Sequence, residues 1–212
     1  NAGGSASDSL LRMDFDLLNN KPDKVFVFFG MNDVDRYAYG DVEITEEILE
    51  RRRNALRGYE ESMEKIVRRL REANVKEIVL LSPTPYEESA KVEAENLRGV
   101  LGALQLCAEF NERLAERYGC ETVDLLNPML AINREMQKSD PTASLAGPDR
   151  VHPTVVGQAV MAYLILTAQR VPSNVFCASL GLAASADNCA ISDVRQTEDG
   201  VEFLLAPFAI PY

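Results

Sequence analysis

The 212-residue chain is long enough for one domain with a small appendage, and its 46% of apolar residues can form a sizeable core. Its 22 basic and 33 acidic residues give a net charge of −11, which argues against nucleic acid or an anionic membrane as the main partner. No apolar run approaches the roughly 18 residues that cross a bilayer, so no membrane span is expected. Composition leaves open the oligomeric state and the compartment, cytoplasmic or secreted.

The four cysteines and the single histidine do not form a metal-binding pattern. No two cysteines have the CxxC spacing, so a zinc site, which needs clustered Cys and His ligands, is not expected. Cys177 and Cys189 flank a loop near the C-terminus. Their spacing alone leaves open whether they form a disulfide.

Two helices and a strand are predicted in the first 75 residues. They are a helix over 9–19 that Ser7 or Asp8 could cap, a strand over 24–29, and a helix from Thr45 to near Asn74. The strand is apolar after its lysine, which is typical of a strand buried on both faces in a parallel sheet. The long helix has apolar residues at spacings of three and four, which predicts one buried face.

Strand and helix continue to alternate up to residue 170. The predicted elements are a strand over 76–82, a helix over 91–118 before Gly119, a strand over 121–126, a helix over 128–137, a loop over 138–153 and a helix over 154–169. This alternation predicts a mostly parallel sheet with helices on both faces. In such sheets ligands bind beyond the carboxyl ends of the strands.

From residue 171 the pattern changes. Short strands are predicted over 189–194 and 201–206, on either side of the turn sequence Gln196–Gly200. We therefore expect a small β-hairpin appendage over 171–212, which the chain end could truncate.

The segment Asp149-Arg150-Val151-His152-Pro153 contains the only histidine of the chain. Histidine is the side chain that can shuttle a proton near neutral pH without strong tuning. A carboxylate three residues earlier, Asp149, can hold the ring in one tautomer and stabilise its cationic form. The structural alternative is that His152 caps the following helix or packs in the core.

The segment Gly30-Met31-Asn32-Asp33 directly follows the first predicted strand. Gly30 permits a sharp turn, and the Asn32 amide could then donate to developing negative charge in a cleft. Asn and Asp are also common turn formers, so a plain strand-to-loop turn explains this segment equally well on its own.

Together, Gly-x-Asn-Asp after a strand and Asp-x-x-His-Pro about 120 residues later resemble the SGNH (GDSL-type) hydrolase family over residues 1–170. The resemblance implies a flavodoxin-like three-layer α/β/α fold. It also implies ester hydrolysis through an acyl-enzyme, with no metal or organic cofactor. By matching motif, His152 is the general base and acid, Asp149 orients it, and Asn32 is the side-chain oxyanion donor.

The opening segment, residues 1–6, resembles the family's Asn-x-x-x-Ser-Gly block, in which a backbone N–H adds to the oxyanion hole. The matching position is Ala6, with Gly4 as the alternative if the loop registers differently. The Gly-Asp-Ser block that carries the family's nucleophile does not occur in the sequence. We therefore expect a strand, a helix and a further strand, roughly 30 or more residues, to precede Asn1 and to carry that serine.

Three interpretations remain open at this point. In the first, the chain is part of an esterase whose serine lies upstream or on another segment. In the second, it is a non-catalytic relative that binds a ligand. In the third, it is a serine hydrolase that uses Ser5 or Ser7, or an unrelated α/β protein. The resemblance makes a small-molecule or carbohydrate ester the expected substrate.

Within the esterase interpretation, the sequence favours short acyl groups, such as acetyl esters on carbohydrate, over a lysophospholipase-like activity, because no apolar lid is visible. Gly30, Asp33 and Arg36 are candidate substrate contacts. Arg36, Tyr37 and Tyr39 could stack on a sugar or form an ordinary solvated loop.

Overall fold

The structure is a computed structural model that describes residues 3–171, 177–180 and 184–208. The chain divides into two compact units, Asn1–Ala168 and Gln169–Tyr212. Among the described residues, no helix is long and apolar enough to cross a bilayer.

The first unit alternates helices and strands. Its elements are α1 (Ala6–Asp16), β1 (Lys24–Phe28), α2 (Glu46–Glu72), β2 (Glu77–Leu81), α3 (Val100–Tyr118), β3 (Glu121–Val123), α4 (Leu126–Met136) and α5 (Val155–Ala168), with short 3₁₀ turns over Leu18–Asn20 and Arg36–Ala38. The strands pair in parallel in the order β1-β2-β3, with Val25 beside Ile78 and Val79 beside Glu121. This confirms the predicted α/β class with a parallel sheet.

Side chains of β2 alternate between two hydrophobic clusters. Ile78 and Leu80 join a cluster that α1, α2 and α3 complete, whereas Val79 and Leu81 join a cluster with residues of α4 and α5. Successive side chains of a strand point to opposite faces of the sheet. Helices therefore cover both faces of β2, as the alternating pattern predicted.

The first strand departs from its prediction of burial on both faces. Val25 and Val27 are buried in the first cluster, but Phe26 and Phe28 are 44% and 41% exposed on the other face. Among the described residues, the second cluster is built on β2 and β3 and includes no residue of β1. The apolar run of β1 is thus covered on one face only.

Capping side chains place the starts of α1 and α2. The Ser5 hydroxyl accepts from the Asp8 N–H at 3.2 Å, and the Asp8 carboxylate accepts from the Ser5 N–H at 2.9 Å, which is a reciprocal capping box. The predicted caps at Ser7 or Asp8 were therefore wrong by two or three residues. Thr45, where the long helix was predicted to start, caps α2 by accepting from the Ile48 N–H at 3.2 Å.

The predicted helix over 91–118 is correct only from Val100. Gly99 has φ +102°, and the Glu88 carboxylate accepts from the N–H groups of Gly99 and Leu101 at 2.8 and 2.9 Å. The first N–H groups of a helix have no carbonyl partner within it, and at the start of α3 the Glu88 carboxylate, from outside the helix, accepts from them. The residues between β2 and Val100 form a long loop that begins at the carboxyl end of β2.

The second unit contains two antiparallel strand pairs. These are β4 (Cys177–Leu180) with β5 (Ala184–Asp187), and β6 (Cys189–Thr197) with β7 (Gly200–Pro207). The β6–β7 hairpin confirms the predicted one, whereas β4 and β5 were not predicted. Cys177 and Cys189 are free thiols, and the Cys189 thiol donates to the Cys177 carbonyl at 3.3 Å.

Candidate active site

The loop before α5 brings Asp149 and His152 into direct contact. His152 Nδ1 lies 2.5 Å from Asp149 Oδ2, and the N–H groups of Val151 and His152 both donate to Asp149 Oδ1 at 3.0 Å. The His152 side chain is 84% exposed, so its ring projects from the loop. The pair has the arrangement that the motif predicted, with the carboxylate holding the ring.

The surroundings of Asp149 keep it ionised. Desolvation raises the pKa of Asp149, but hydrogen bonds from the His152 ring and from the backbone of His152 and Val151 outweigh it and lower the pKa to about 2. At neutral pH a carboxylate therefore accepts the Nδ1 proton. Nε2 is then the ring nitrogen with a free lone pair, able to take a proton from a nucleophile.

The turn after β1 depends on a glycine. Gly30 has φ +132°, and its carbonyl accepts from the N–H groups of Asp33 and Val34 at 3.0 and 3.2 Å. A Cβ at position 30 would lie 3.0 Å from Pro83 atoms, which follow β2. Glycine is therefore required both by the backbone angle and by the close approach of the neighbouring loop. Gly30, predicted as a substrate contact, shapes the turn.

Asn32 stands exposed at the tip of this turn. Its Nδ2 donates to the Gly4 carbonyl at 3.3 Å, and its Oδ1 accepts from Arg36 Nη2 at 3.4 Å. The amide has two N–H bonds, so a second donor is left for a ligand. A cavity of about 270 Å³ opens beside it, lined by Gly4, Phe28, Phe29, Met31, Asn32, Pro83 and Thr84.

The Asp33 carboxylate corrects two predicted roles. It accepts from the Ala6 N–H at 2.8 Å and from the Gly30 N–H at 2.9 Å. The Ala6 N–H, predicted as an oxyanion donor, is therefore already bound, and Asp33, predicted as a substrate contact, ties the start of α1 to the Gly30 turn. Burial raises the pKa of Asp33, partly offset by these two bonds.

The loop after Asp33 offers less aromatic surface than predicted. Arg36 contacts Asn32 as described, and Tyr37 is 75% exposed. Tyr39 is buried, with the Arg52 guanidinium 4.3 Å from its ring centroid. Tyr39 is thus unavailable for the predicted stacking on a sugar, because Arg52 already covers its ring.

Ser5 and Ser7 are engaged at the start of α1. The Ser5 hydroxyl donates to Asp8 Oδ2 at 2.6 Å, and the two serine Oγ atoms are 2.9 Å apart. Within the described part of the chain, the His152 ring hydrogen-bonds to Asp149 and to neither serine. The structure therefore places no local serine against the base.

The model of the GDSL-like lipase/acylhydrolase family matches residues 1–160. The chain belongs to that family. In this GDSL-like chain, the matched region contains the Gly30 turn, Asn32 and the Asp149–His152 pair.

Solved structures agree with the family assignment. A gut microbial diltiazem-metabolizing enzyme matches with a TM-score of 0.83 and 30% identity over 99% of the chain, and the chain spans 48% of that enzyme's length. A catalytic mutant of an acetylxylan esterase from Geobacillus stearothermophilus matches with a TM-score of 0.57 and 25% identity, covering 78% of the chain and 68% of the esterase.

A second acetyl xylan esterase, AlAXEase, shares the fold at a TM-score of 0.61 and 24% identity, covering 79% of the chain and 77% of that esterase. No curated protein sequence matches the chain.

Two buried charged residues beside the site were missed from the sequence. Arg150, between Asp149 and His152, is only 4% exposed, and Glu87 in the loop after β2 is 2% exposed. The signal was present for Arg150, because it lies inside the Asp149–Pro153 motif. No sequence pattern marks Glu87, because the partners of its Oε2, Asn133 and Ser144, come from distant segments of this GDSL-like chain.

Proposed function

We propose that this chain carries the acid–base and oxyanion parts of a serine-type ester hydrolase that acts on short acyl esters through an acyl-enzyme, acetyl esters of carbohydrate in particular. The observation that supports it most is the Asp149–His152 pair, joined at 2.5 Å with the pKa of Asp149 lowered to about 2. An ionised carboxylate behind an exposed imidazole is the arrangement that general-base catalysis needs.

In the proposed mechanism, His152 Nε2 takes the proton of a serine hydroxyl as the serine oxygen attacks the ester carbonyl. The free N–H of Asn32 donates to the oxyanion of the tetrahedral intermediate. His152 then gives its proton to the leaving alcohol, and the acyl group stays on the serine. In the second half, His152 takes a proton from water as the water oxygen attacks the acyl carbon. His152 then returns that proton to the serine oxygen as the acyl–serine bond breaks and the acid leaves.

The nucleophile in this proposal lies outside residues 1–212, on a segment that precedes Asn1. Two observations support this placement. The Ser5 hydroxyl belongs to the capping box of α1, and the Ser7 Oγ lies 2.9 Å from it. In addition, β1 is an outer strand of the three-stranded sheet among the described residues, and Phe26 and Phe28 leave an apolar face beside it that a further strand and its helix would cover.

The proposed substrate class rests on size and on the neighbouring structures. The cavity beside Asn32 has about 270 Å³, which suits a small acyl group better than a lipid chain. Two similar structures are named as acetylxylan esterases, and a third as a diltiazem-metabolizing enzyme. A lysophospholipase-like activity and a non-catalytic binding role are the alternatives.

The test is to treat the full-length protein from its native source with a fluorophosphonate probe and to map the labelled peptide by mass spectrometry. We expect one adduct on a serine upstream of Asn1. The His152→Ala variant should lose the adduct, and kcat should fall by several orders of magnitude, on the order of 10⁴-fold. An adduct on Ser5 or Ser7 would support serine-type ester hydrolysis but would identify that residue, and not an upstream serine, as the nucleophile.

Hydrolysis of p-nitrophenyl acetate and p-nitrophenyl laurate, acetate release from acetylated xylan, and turnover of diltiazem then separate the substrate classes. Preference for the acetyl esters is expected, whereas preference for laurate would favour the lipid alternative. If the folded protein forms no adduct and hydrolyses none of these substrates, the non-catalytic binding role is favoured.

A further inference from the structure

Arg150 occupies an unusual place between the two residues of the acid–base pair. Its backbone has φ +66°, in the left-handed region that is unfavourable for residues other than glycine. Its N–H donates to the Gly147 carbonyl at 3.0 Å, and its carbonyl accepts from the Glu87 N–H at 3.0 Å. The backbone at Arg150 thus sets the direction in which the chain continues to His152.

The Arg150 side chain is buried and makes four hydrogen bonds to backbone carbonyls. Nε donates to the Ala94 carbonyl at 3.0 Å, Nη1 to the carbonyls of Glu87 and Ala90 at 2.9 and 3.1 Å, and Nη2 to the Val92 carbonyl at 3.0 Å. All four acceptors belong to the loop that follows β2. A guanidinium has a fixed planar set of donors, so four such bonds fix its position in every direction.

Glu87 holds the other side of this loop. Its Oε1 accepts from the N–H groups of Ser89 and Ala90 and from the Ser89 hydroxyl at 2.8, 2.9 and 2.6 Å. Its Oε2 accepts from Asn133 Nδ2 at 2.5 Å and from the Ser144 hydroxyl at 3.2 Å. The carboxylate therefore shapes the turn that Arg150 binds and ties it to α4 and to the segment before Asp149.

We propose that Arg150 is a positioning residue that holds the Asp149–His152 pair in its catalytic geometry by clamping the pair's loop to the carbonyl-lined loop after β2. It touches neither substrate nor the reacting atoms, and it acts through the backbone that carries His152. The expected fall in kcat rests on the proposed function, whereas the effect of Arg150 on the geometry of the Asp149–His152 pair does not.

The chain contains a matched control for this arginine. Arg71 also donates to four backbone carbonyls, those of Tyr118, Val75, Lys76 and Gly119, at 3.2, 3.3, 3.2 and 2.7 Å. These acceptors precede β2 and β3, at the amino ends of the strands. Arg71 thus makes the same kind of clamp at the opposite edge of the sheet from Asp149 and His152.

The experiment compares Arg150→Met, Arg150→Lys and Arg71→Met in the full-length protein. One readout is the downfield proton NMR resonance of the short His152–Asp149 hydrogen bond, assigned by its absence in His152→Ala. The other is kcat and KM for p-nitrophenyl acetate. In Arg150→Met we expect the resonance to disappear and kcat to fall about 10²-fold, because small misplacement of a catalytic group has an effect of this size, while KM changes less than about threefold.

Arg71→Met should keep the resonance and a kcat within about twofold of wild type, although it lowers Tm. Arg150→Lys should keep part of the resonance and lose about tenfold in kcat, because an ammonium reaches fewer of the four carbonyls. If Arg150→Met does not fold, Arg150→Lys carries the test, and wild-type values for its resonance and kcat would overturn the proposal.

The proposal is also overturned if folded Arg150→Met has the same resonance and the same kcat as Arg71→Met. It is equally overturned if both variants lose the resonance and kcat to the same extent. Either result would mean that Arg150 stabilises the fold in general and does not position the pair. A wild-type protein that lacks fluorophosphonate labelling but shows the Arg150-dependent resonance would refute the proposed function and support the positioning role. If Arg150→Met is labelled and hydrolyses p-nitrophenyl acetate at the wild-type rates, the positioning role is refuted and the proposed function is supported.

Discussion

The Asp149–His152 pair and the Asn32 amide, which we propose as the acid–base pair and the oxyanion donor, each contact residues near them in sequence. Asp149 Oδ2 lies 2.5 Å from His152 Nδ1, three positions further along the chain. Arg36, four residues after Asn32, donates to the Asn32 amide oxygen at 3.4 Å. The Asn32 turn itself is closed by the Gly30 carbonyl. Local geometry therefore prepares both groups before any ligand binds.

Asn32→Ala should remove the side-chain oxyanion donor. We expect kcat for p-nitrophenyl acetate to fall by about 10²–10³-fold with little change in KM, because the bond forms fully only in the transition state. Asn20→Ala removes a similarly exposed amide, which donates to the Asp16 carbonyl, and should leave kcat unchanged. Equal kcat for the two variants would contradict the role of Asn32.

Asp149 should make stability depend on pH in the acid range. Its pKa is lowered from 3.8 to about 2 in the folded chain, so its contribution is present above the unfolded value and is lost as pH falls through the folded one. The difference in unfolding free energy between wild type and Asp149→Asn, measured by urea titration, should shrink between about pH 4 and pH 2. A difference that stays constant over that range would refute this.

At the scale of elements, the start of α5 determines where the loop that carries Asp149 and His152 ends. The Thr154 N–H and hydroxyl donate to the Leu145 carbonyl at 2.8 and 3.1 Å, and the Gly157 N–H donates to the Thr154 hydroxyl at 3.1 Å. Because Gly157 has no side chain, the first turn of α5 lies directly against the Leu145 backbone. His152 is thus held between the Arg150 clamp and this helix end.

Gly157→Ala should disturb that packing. A Cβ there would lie 2.2 Å from the Leu145 carbonyl oxygen, so the backbone must shift. We expect a loss of about 1–3 kcal/mol in unfolding free energy, measured by urea titration, and a lower kcat.

Gly58→Ala in α2 is the control, because a Cβ at that helical position meets nothing within 4 Å. It should stabilise the chain by up to about 1 kcal/mol. A Gly157→Ala variant as stable as Gly58→Ala would show that α5 does not require the glycine.

At the scale of the whole molecule, the chain consists of two compact units with different degrees of burial. Cys107 is 1% exposed in the core of the first unit, whereas Cys177 is exposed in the second. Burial raises the pKa of the Cys107 thiol, so its reactive thiolate is scarcely populated. Thiol chemistry can therefore report on the two units separately.

Iodoacetamide at neutral pH should alkylate Cys177 in the native protein and Cys107 only when the first unit unfolds. Mass spectrometry of the modified peptides at increasing urea measures both rates. Modification of Cys107 in the native protein as fast as that of Cys177 would contradict the tightly packed core of the first unit.

The sequence by itself determined the α/β alternation, the parallel sheet and the family, because hydrophobic period and short motifs are local properties. It also indicated the contact of Asp149 with His152, since the two lie three positions apart in a tight loop. Helix ends were less certain. The start of α2 near Thr45 was predicted, but the start of α3 was not, because the Glu88 carboxylate that caps it lies outside the helix.

Only the tertiary structure decided which predicted groups are available for chemistry. Asp33 occupies the Ala6 N–H and Arg52 covers Tyr39, and both partners are distant in sequence. The contacts of Arg150 were likewise not predictable from the sequence. Its position in the motif was visible, but its four acceptors lie 56 to 63 residues away. A hydrogen bond between distant segments depends on how the elements pack, and no local pattern encodes that packing.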